Sequence, residues 1–134
     1  MNEDERALDL LAVLHFVLAG LTVLIGLIPV IHVILGALMV TGRLQDSAPP
    51  PPWVGWAFIG MGIVFILFAW VMAGLTAACG YMLKRRRART FCVVAAAIEC
   101  LNMPFGTVLG ILTLIALNRL SVIGLFENAT PPPA

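Results

Sequence analysis

Three apolar runs, residues 8–40, 53–83 and 91–117, take up most of this chain. Each is longer than the about 20 residues a helix needs to cross a ~30 Å hydrocarbon layer. Backbone polar groups in such a layer must be satisfied within the chain, so runs of this length read as helices. The composition points the same way. Of 134 residues, 61% are hydrophobic and only 11% charged, against roughly a quarter charged in soluble domains. A soluble globular domain is excluded, and the short polar connections leave little room for an active site outside a membrane. The expected fold class is an all-α integral membrane protein, with three long transmembrane helices in a compact bundle. No internal repeat is evident.

The first run contains Pro29, which removes a backbone donor and crowds the carbonyl of Ile25. A single crossing over 8–40, kinked at Pro29, is favoured. The alternative is a break there, leaving 30–40 as a fourth, short helix in a broken hairpin. The run lacks the basic leader and cleavage site of a secretory signal, and reads as a retained span. Residues 41–52 form a polar external loop ending in four prolines, a stiff polyproline spacer. Trp53 and Trp56 follow at aromatic-belt positions, opening the second span, 53–83.

The loop 84–90 holds Lys84, Arg85, Arg86, Arg87 and Arg89, five of the eight basic residues. Basic residues beside spans favour the cytoplasmic side. This loop and the N-terminus are therefore expected inside, and the interfacial tail 118–134 outside, after a third span over 91–117. The five cations also make a candidate contact for anionic lipid headgroups, against the plainer reading of an ordinary positive-inside loop. Such a small block beside apolar runs is a topology signal, and no nucleic-acid partner is expected. Residues 128–130 match a glycosylation triplet, a short pattern that carries little alone.

Each run has one small or polar stripe. In the first, His15, Thr22, Pro29 and Gly36 recur every seven residues, with Ala19 and Gly26 between them. In the second, Gly55, Gly62, Ala69 and Thr76 do the same, with Ala73 and Gly80 alongside. In the third, Cys92, Ala95, Glu99, Asn102, Gly106, Gly110 and Thr113 share a face opposite Val94, Leu101, Phe105, Val108, Leu112 and Ile115. Lipid gives no hydrophobic drive for helices to associate, so small residues that let backbones approach are the natural contact faces. Gly55, Gly62, Ala69, Ala73, Thr76, Gly106 and Gly110 are the expected packing positions.

Glu99 is the sharpest candidate site residue. A carboxylate at mid-helix costs about 2.5–3.5 kcal/mol on insertion scales, so such residues face protein or water and often carry function. Counted from the inner ends of their runs, His15 and Glu99 lie at similar depth, so His15 is a candidate partner and Asn102 a neighbour. The pair could be a polar clasp between helices or part of a proton path. His32 lies too far along the first run to share a ligand with His15. Cys79, Cys92 and Cys100 have no CxxC spacing and read as buried small hydrophobes. A transition-metal site from these thiols and His15 is the weaker alternative, so no metal or cofactor is expected. No phosphate loop, nucleophile elbow or HExxH is present, and no enzyme activity is expected.

The stretch "ECLNMPFGTVLGILTLIALNRLSVIGLF", residues 99–126, with "IPVIH" at 28–32, resembles a family of small bacterial integral membrane proteins. That family carries an EC…PFGT.LG C-terminal helix. Leu120 stands where the family pattern has a proline. The resemblance covers about a third of the chain and implies a bacterial inner-membrane location without a transferable activity. The expectation is an accessory or structural subunit, bound to other membrane subunits or to copies of itself. The alternative is a small channel or transporter protomer using Glu99 and His15 in a proton or ion path.

Overall fold

A break in the third apolar run is the main departure from the sequence reading. The computed structural model describes residues 2–43 and 50–129, so the start of the polyproline stretch and residues 130–134 lie outside the described residues. In chain order the helices are α1 (Glu3–Ile25), α2 (Val30–Val40), α3 (Pro52–Arg85), α4 (Arg89–Glu99), α5 (Phe105–Leu117) and α6 (Leu120–Ala129). No strand occurs among the described residues. Two segments, Glu3–Val40 and Pro52–Arg85, are long and apolar enough to cross a membrane, or three if α5 and α6 count as one bent segment.

Pro29 acts as its chemistry requires. It donates no hydrogen bond, and the chain passes residues 26–29 on tighter bonds, Leu27 N–H to Leu24 O at 3.1 Å and Ile28 N–H to Ile25 O at 3.0 Å. α2 then follows and is closed beyond its C-terminus by Gly42, whose φ of 65° goes with N–H bonds from Gly42 and Arg43 back to the Met39 and Leu38 carbonyls. α3 ends on the same bond pattern with Arg86 in the left-handed position, φ 52°. Ala88 is also at φ 52°, ahead of α4. A non-glycine residue in this region costs roughly 1–2 kcal/mol, so the 86–88 turn is strained.

The chain divides into two units, Leu21–Val71 and the combination of Met1–Gly20 with Met72–Ala134. In the first unit, α2 runs antiparallel to the start of α3 at glycine contacts. A Cβ on Gly36 would stand 2.6 Å from the Gly55 carbonyl oxygen, and one on Gly62 would meet Val33 and the Pro29 carbonyl. A Cβ on Gly26 would fall 2.7 Å from that of Ala69. Gly36→Ala is therefore expected to cost about 1–3 kcal/mol through overpacking. Gly60→Ala has nothing within 4 Å and should be neutral or stabilising by up to about 1 kcal/mol, from helix propensity. Thermal unfolding in detergent of the two variants checks the contrast.

In the second unit, residues 91–117 form two helices rather than the continuous span read from the sequence. The chain turns at residues 100–104, where Pro104 has no N–H, Asn102 N–H bonds to Glu99 O at 2.8 Å, and Thr107 Oγ1 donates to Cys100 O at 2.8 Å. α4 and α5 then lie side by side. A Cβ on Gly106 would meet Glu99 O at 2.6 Å, and one on Gly110 would meet Ala96 O at 2.5 Å. At the far end, Arg89 Nε donates to Leu117 O at 3.0 Å. These pairings run antiparallel, so α4–α5 is a helical hairpin. With 11 and 13 residues, its arms are only roughly 16 and 20 Å long at ~1.5 Å per residue. α6 leaves α5 at 78°.

Candidate polar site

The core of this second unit is built from the small or polar faces of α1, α3, α4 and α5. Leu8, Leu11, Ala12 and Leu18 of α1 pack with Cys79 and Leu83 of α3, Cys92 and Ala95 of α4, Leu109 and Leu117 of α5, and Val122 and Phe126 of α6. Gly80 allows α1 to come close: a Cβ there would lie 3.0 Å from both the Ala12 carbonyl oxygen and the His15 Cβ. Val94, Leu101, Phe105, Val108, Leu112 and Ile115 are all exposed. An apolar face of this kind suits lipid rather than water.

Glu99 sits at the end of α4, next to the hairpin turn, and is 1% exposed. His15 lies midway along α1 and is fully buried. The structure brings them together, with His15 Nε2 3.0 Å from Glu99 Oε2. His15 Nδ1 is 2.8 Å from the Leu11 carbonyl oxygen, which can only accept, so Nδ1 carries a proton. At that separation the contact is favourable when Nε2 and Oε2 hold one further proton between them. Either a carboxylic acid donates to a neutral imidazole, or an imidazolium donates to a carboxylate. Both forms are net neutral. Without that proton, two lone pairs would face each other in a sealed, low-dielectric site.

The buried hydroxyl of Thr113, both Glu99 carboxylate oxygens and His15 Nε2 have no partner in hydrogen-bond geometry among the described residues, so His15 and Glu99 meet by proximity rather than through an aligned hydrogen bond. Asn102 is half-buried and closes the turn through its backbone. Of the packing positions in this unit, Ala73, Thr76, Gly106 and Gly110 are buried; in the other unit, Gly55 and Gly62 are buried and Ala69 is half-buried. His32 also belongs to that other unit, stacked on Phe58 with ring centroids 6.0 Å apart.

The basic loop divides in role. Arg89 caps the last turn of α5, and its Nη2 also donates to Asn118 Oδ1 at 3.3 Å, which matches a cation at a helix C-terminus. Arg86 pairs with Glu5 at 3.2 Å, and Arg119 with Asp4 at 3.4 Å. Lys84, Arg85 and Arg87 are exposed, with the Arg85 guanidinium 5.0 Å from the Tyr81 ring centroid. Sequence reasoning singled out Arg89 only as a headgroup contact. Its capping role needs the hairpin, which brings position 117 back beside it.

Among the described residues no group of three or more His, Cys, Asp or Glu side chains is arranged to hold a metal ion. A groove of ≈ 230 Å³ between α1 and α5 is lined mainly by apolar side chains, with Asp4 and Arg119 at one end. Neither His15 nor Glu99 lines it. Chemically, the site can hold a shared proton and join α1 to the hairpin. No protein-family model, curated protein or solved structure matches the chain.

Proposed function

We propose that this chain is a small multi-pass membrane protein of the bacterial inner membrane, acting as an accessory or structural subunit within a homo-oligomer or larger complex. In this reading Glu3–Val40 and Pro52–Arg85 cross the bilayer, and the basic 84–90 loop is cytoplasmic. The α4–α5 hairpin enters from that same side and returns to it, with α6 lying in the interface. The observation that carries the reading is the sealed His15–Glu99 pair. Its polar atoms are buried and serve a contact between helices, as suits a residue that fixes packing. The apolar outer faces of α4 and α5 then meet lipid or neighbouring helices. Exposed Lys84, Arg85 and Arg87 would lie at the level of anionic headgroups, each contributing about 1 kcal/mol.

The approach of two buried titratable side chains supports a second reading, a channel or transporter protomer using His15 and Glu99 in a proton path. Glu99→Gln separates the two, because a Gln amide can still donate to His15 Nε2 but cannot ionise. Mild detergent extraction followed by mass analysis is the test. The structural reading expects fixed-ratio partner chains or a defined homo-oligomer, unchanged by Glu99→Gln, and vesicles no more permeable to protons than empty ones. Wild-type vesicles that pass protons, with passage abolished by Glu99→Gln, would replace it with the second reading.

A further inference from the structure

Beside the His15–Glu99 pair lies a second buried contact that the structural reading does not use. Cys79 of α3 and Cys92 of α4 are both fully buried. Each thiol faces the other residue's backbone, with Cys79 Sγ 4.0 Å from Cys92 O and Cys92 Sγ 3.8 Å from Cys79 O. This reciprocal geometry sets the two helices side by side at the one level where both carry a cysteine. Cys100, by contrast, is only half-buried, and its Sγ lies against Gly110 of the hairpin.

We propose that Cys79 and Cys92 form a redox-active pair, a dithiol that closes to a disulfide joining α3 to α4. The oxidant class follows from where the thiols lie. Both are enclosed in helices whose outer faces are apolar, so a charged, water-borne oxidant is excluded and a lipid-soluble two-electron acceptor of the quinone class fits. The step balances without a further reagent. Two S–H bonds break, one S–S bond forms, and two electrons and two protons reduce the quinone to the quinol. Access requires the ends of α3 and α4 to part briefly, and the strained turn with Arg86 and Ala88 at φ 52° lies between the two cysteines, where such opening is easiest. Closure would tie α4, and with it Glu99, to the long helix. The proposal stands on the thiol geometry alone and is independent of the accessory-subunit reading.

The test uses the whole chain in native membranes. Membranes are treated with a fully ring-substituted, short-chain benzoquinone, which cannot arylate thiols, then denatured and alkylated with a maleimide, and peptides and intact protein are weighed. The expected result is joint loss of alkylation at Cys79 and Cys92, with a decrease of about two mass units for the two hydrogens lost. Dithiothreitol should restore both, and Cys100 should be alkylated throughout. Cys79→Ser should leave Cys92 alkylated after the same treatment. Retention of both thiols in the quinone-treated wild type, or consumption of Cys100 instead, would overturn the proposal. The wild-type result decides this even if Cys79→Ser fails to fold.

Discussion

Glu99→Ala is expected to destabilise the fold by about 3–5 kcal/mol, because it strands a polar partner in a sealed site. His15 keeps its bond from Nδ1 to the Leu11 carbonyl, but Nε2 loses Glu99 Oε2, its neighbour at 3.0 Å, and stays buried. The cavity left by the acid adds to the cost. Replacing both residues by apolar ones of similar size, His15→Leu with Glu99→Met, should recover most of that loss, since paired buried charges are often no better than well-packed hydrophobes. The double-mutant cycle, read by thermal unfolding in detergent, should therefore show strong coupling. If Glu99→Ala were tolerated within about 0.5 kcal/mol, the pair would not be a clasp. Glu99→Gln should remain close to wild type in the same measurement, because the amide can donate to Nε2.

The polar pair was legible from the chain because both residues lie on small-residue faces at similar depth. Burial of Gly55, Gly62, Gly106 and Gly110 follows the same stripes, and the exposed set from Val94 to Ile115 is the opposite face of the third run. The hairpin was not legible, for a physical reason. Length and hydropathy respond to apolar content, and a run of 27 residues scores alike as one crossing or as two short helices. Pro104 marks a weak point in both cases. The discriminating signals were local and subtle. Asn102, Pro104 and Thr107 can together close a turn, and Gly106 and Gly110 allow one helix to return against the carbonyls of the other. A further signal was Arg119, a cation at the end that a crossing would place outside.

The turn between α3 and α4 was hidden for a different reason. Left-handed positions usually advertise themselves as glycine or asparagine, and here Arg86 and Ala88 occupy them. Without that turn the approach of Cys79 to Cys92 could not be read from their spacing. Arg89 shows the same limit: its residue type announces a membrane-edge cation, and only tertiary structure makes it a helix cap.

The second large effect concerns sidedness, where the hairpin and a third crossing give opposite results. Charged residues of α1 and α4 and of the turns after α3 and α5 gather at one end of their unit, with Arg86 on Glu5, Arg119 on Asp4, and Arg89 on the end of α5. A chain that crossed over residues 91–117 would carry Arg119 to the far side of a ~30 Å layer, away from Asp4 and Arg89. Exposed salt bridges are individually worth only about 0–1 kcal/mol, so the three contacts report geometry more than stability. The hairpin is held instead by close backbone packing at Gly106 and Gly110 and by the contact of Glu99 with α1.

The most direct measurement is labelling of single introduced cysteines in intact cells with a membrane-impermeant maleimide. Unmodified protein, whose own cysteines are buried or half-buried, serves as the blank. Gly42→Cys should be labelled from outside. Arg87→Cys and Glu127→Cys should both be labelled only after permeabilisation, placing the start of the hairpin and the helix beyond it on one side. Labelling of Glu127→Cys in intact cells as readily as Gly42→Cys, with Arg87→Cys still protected, would mean that residues 91–117 cross the membrane, and would contradict the re-entrant hairpin.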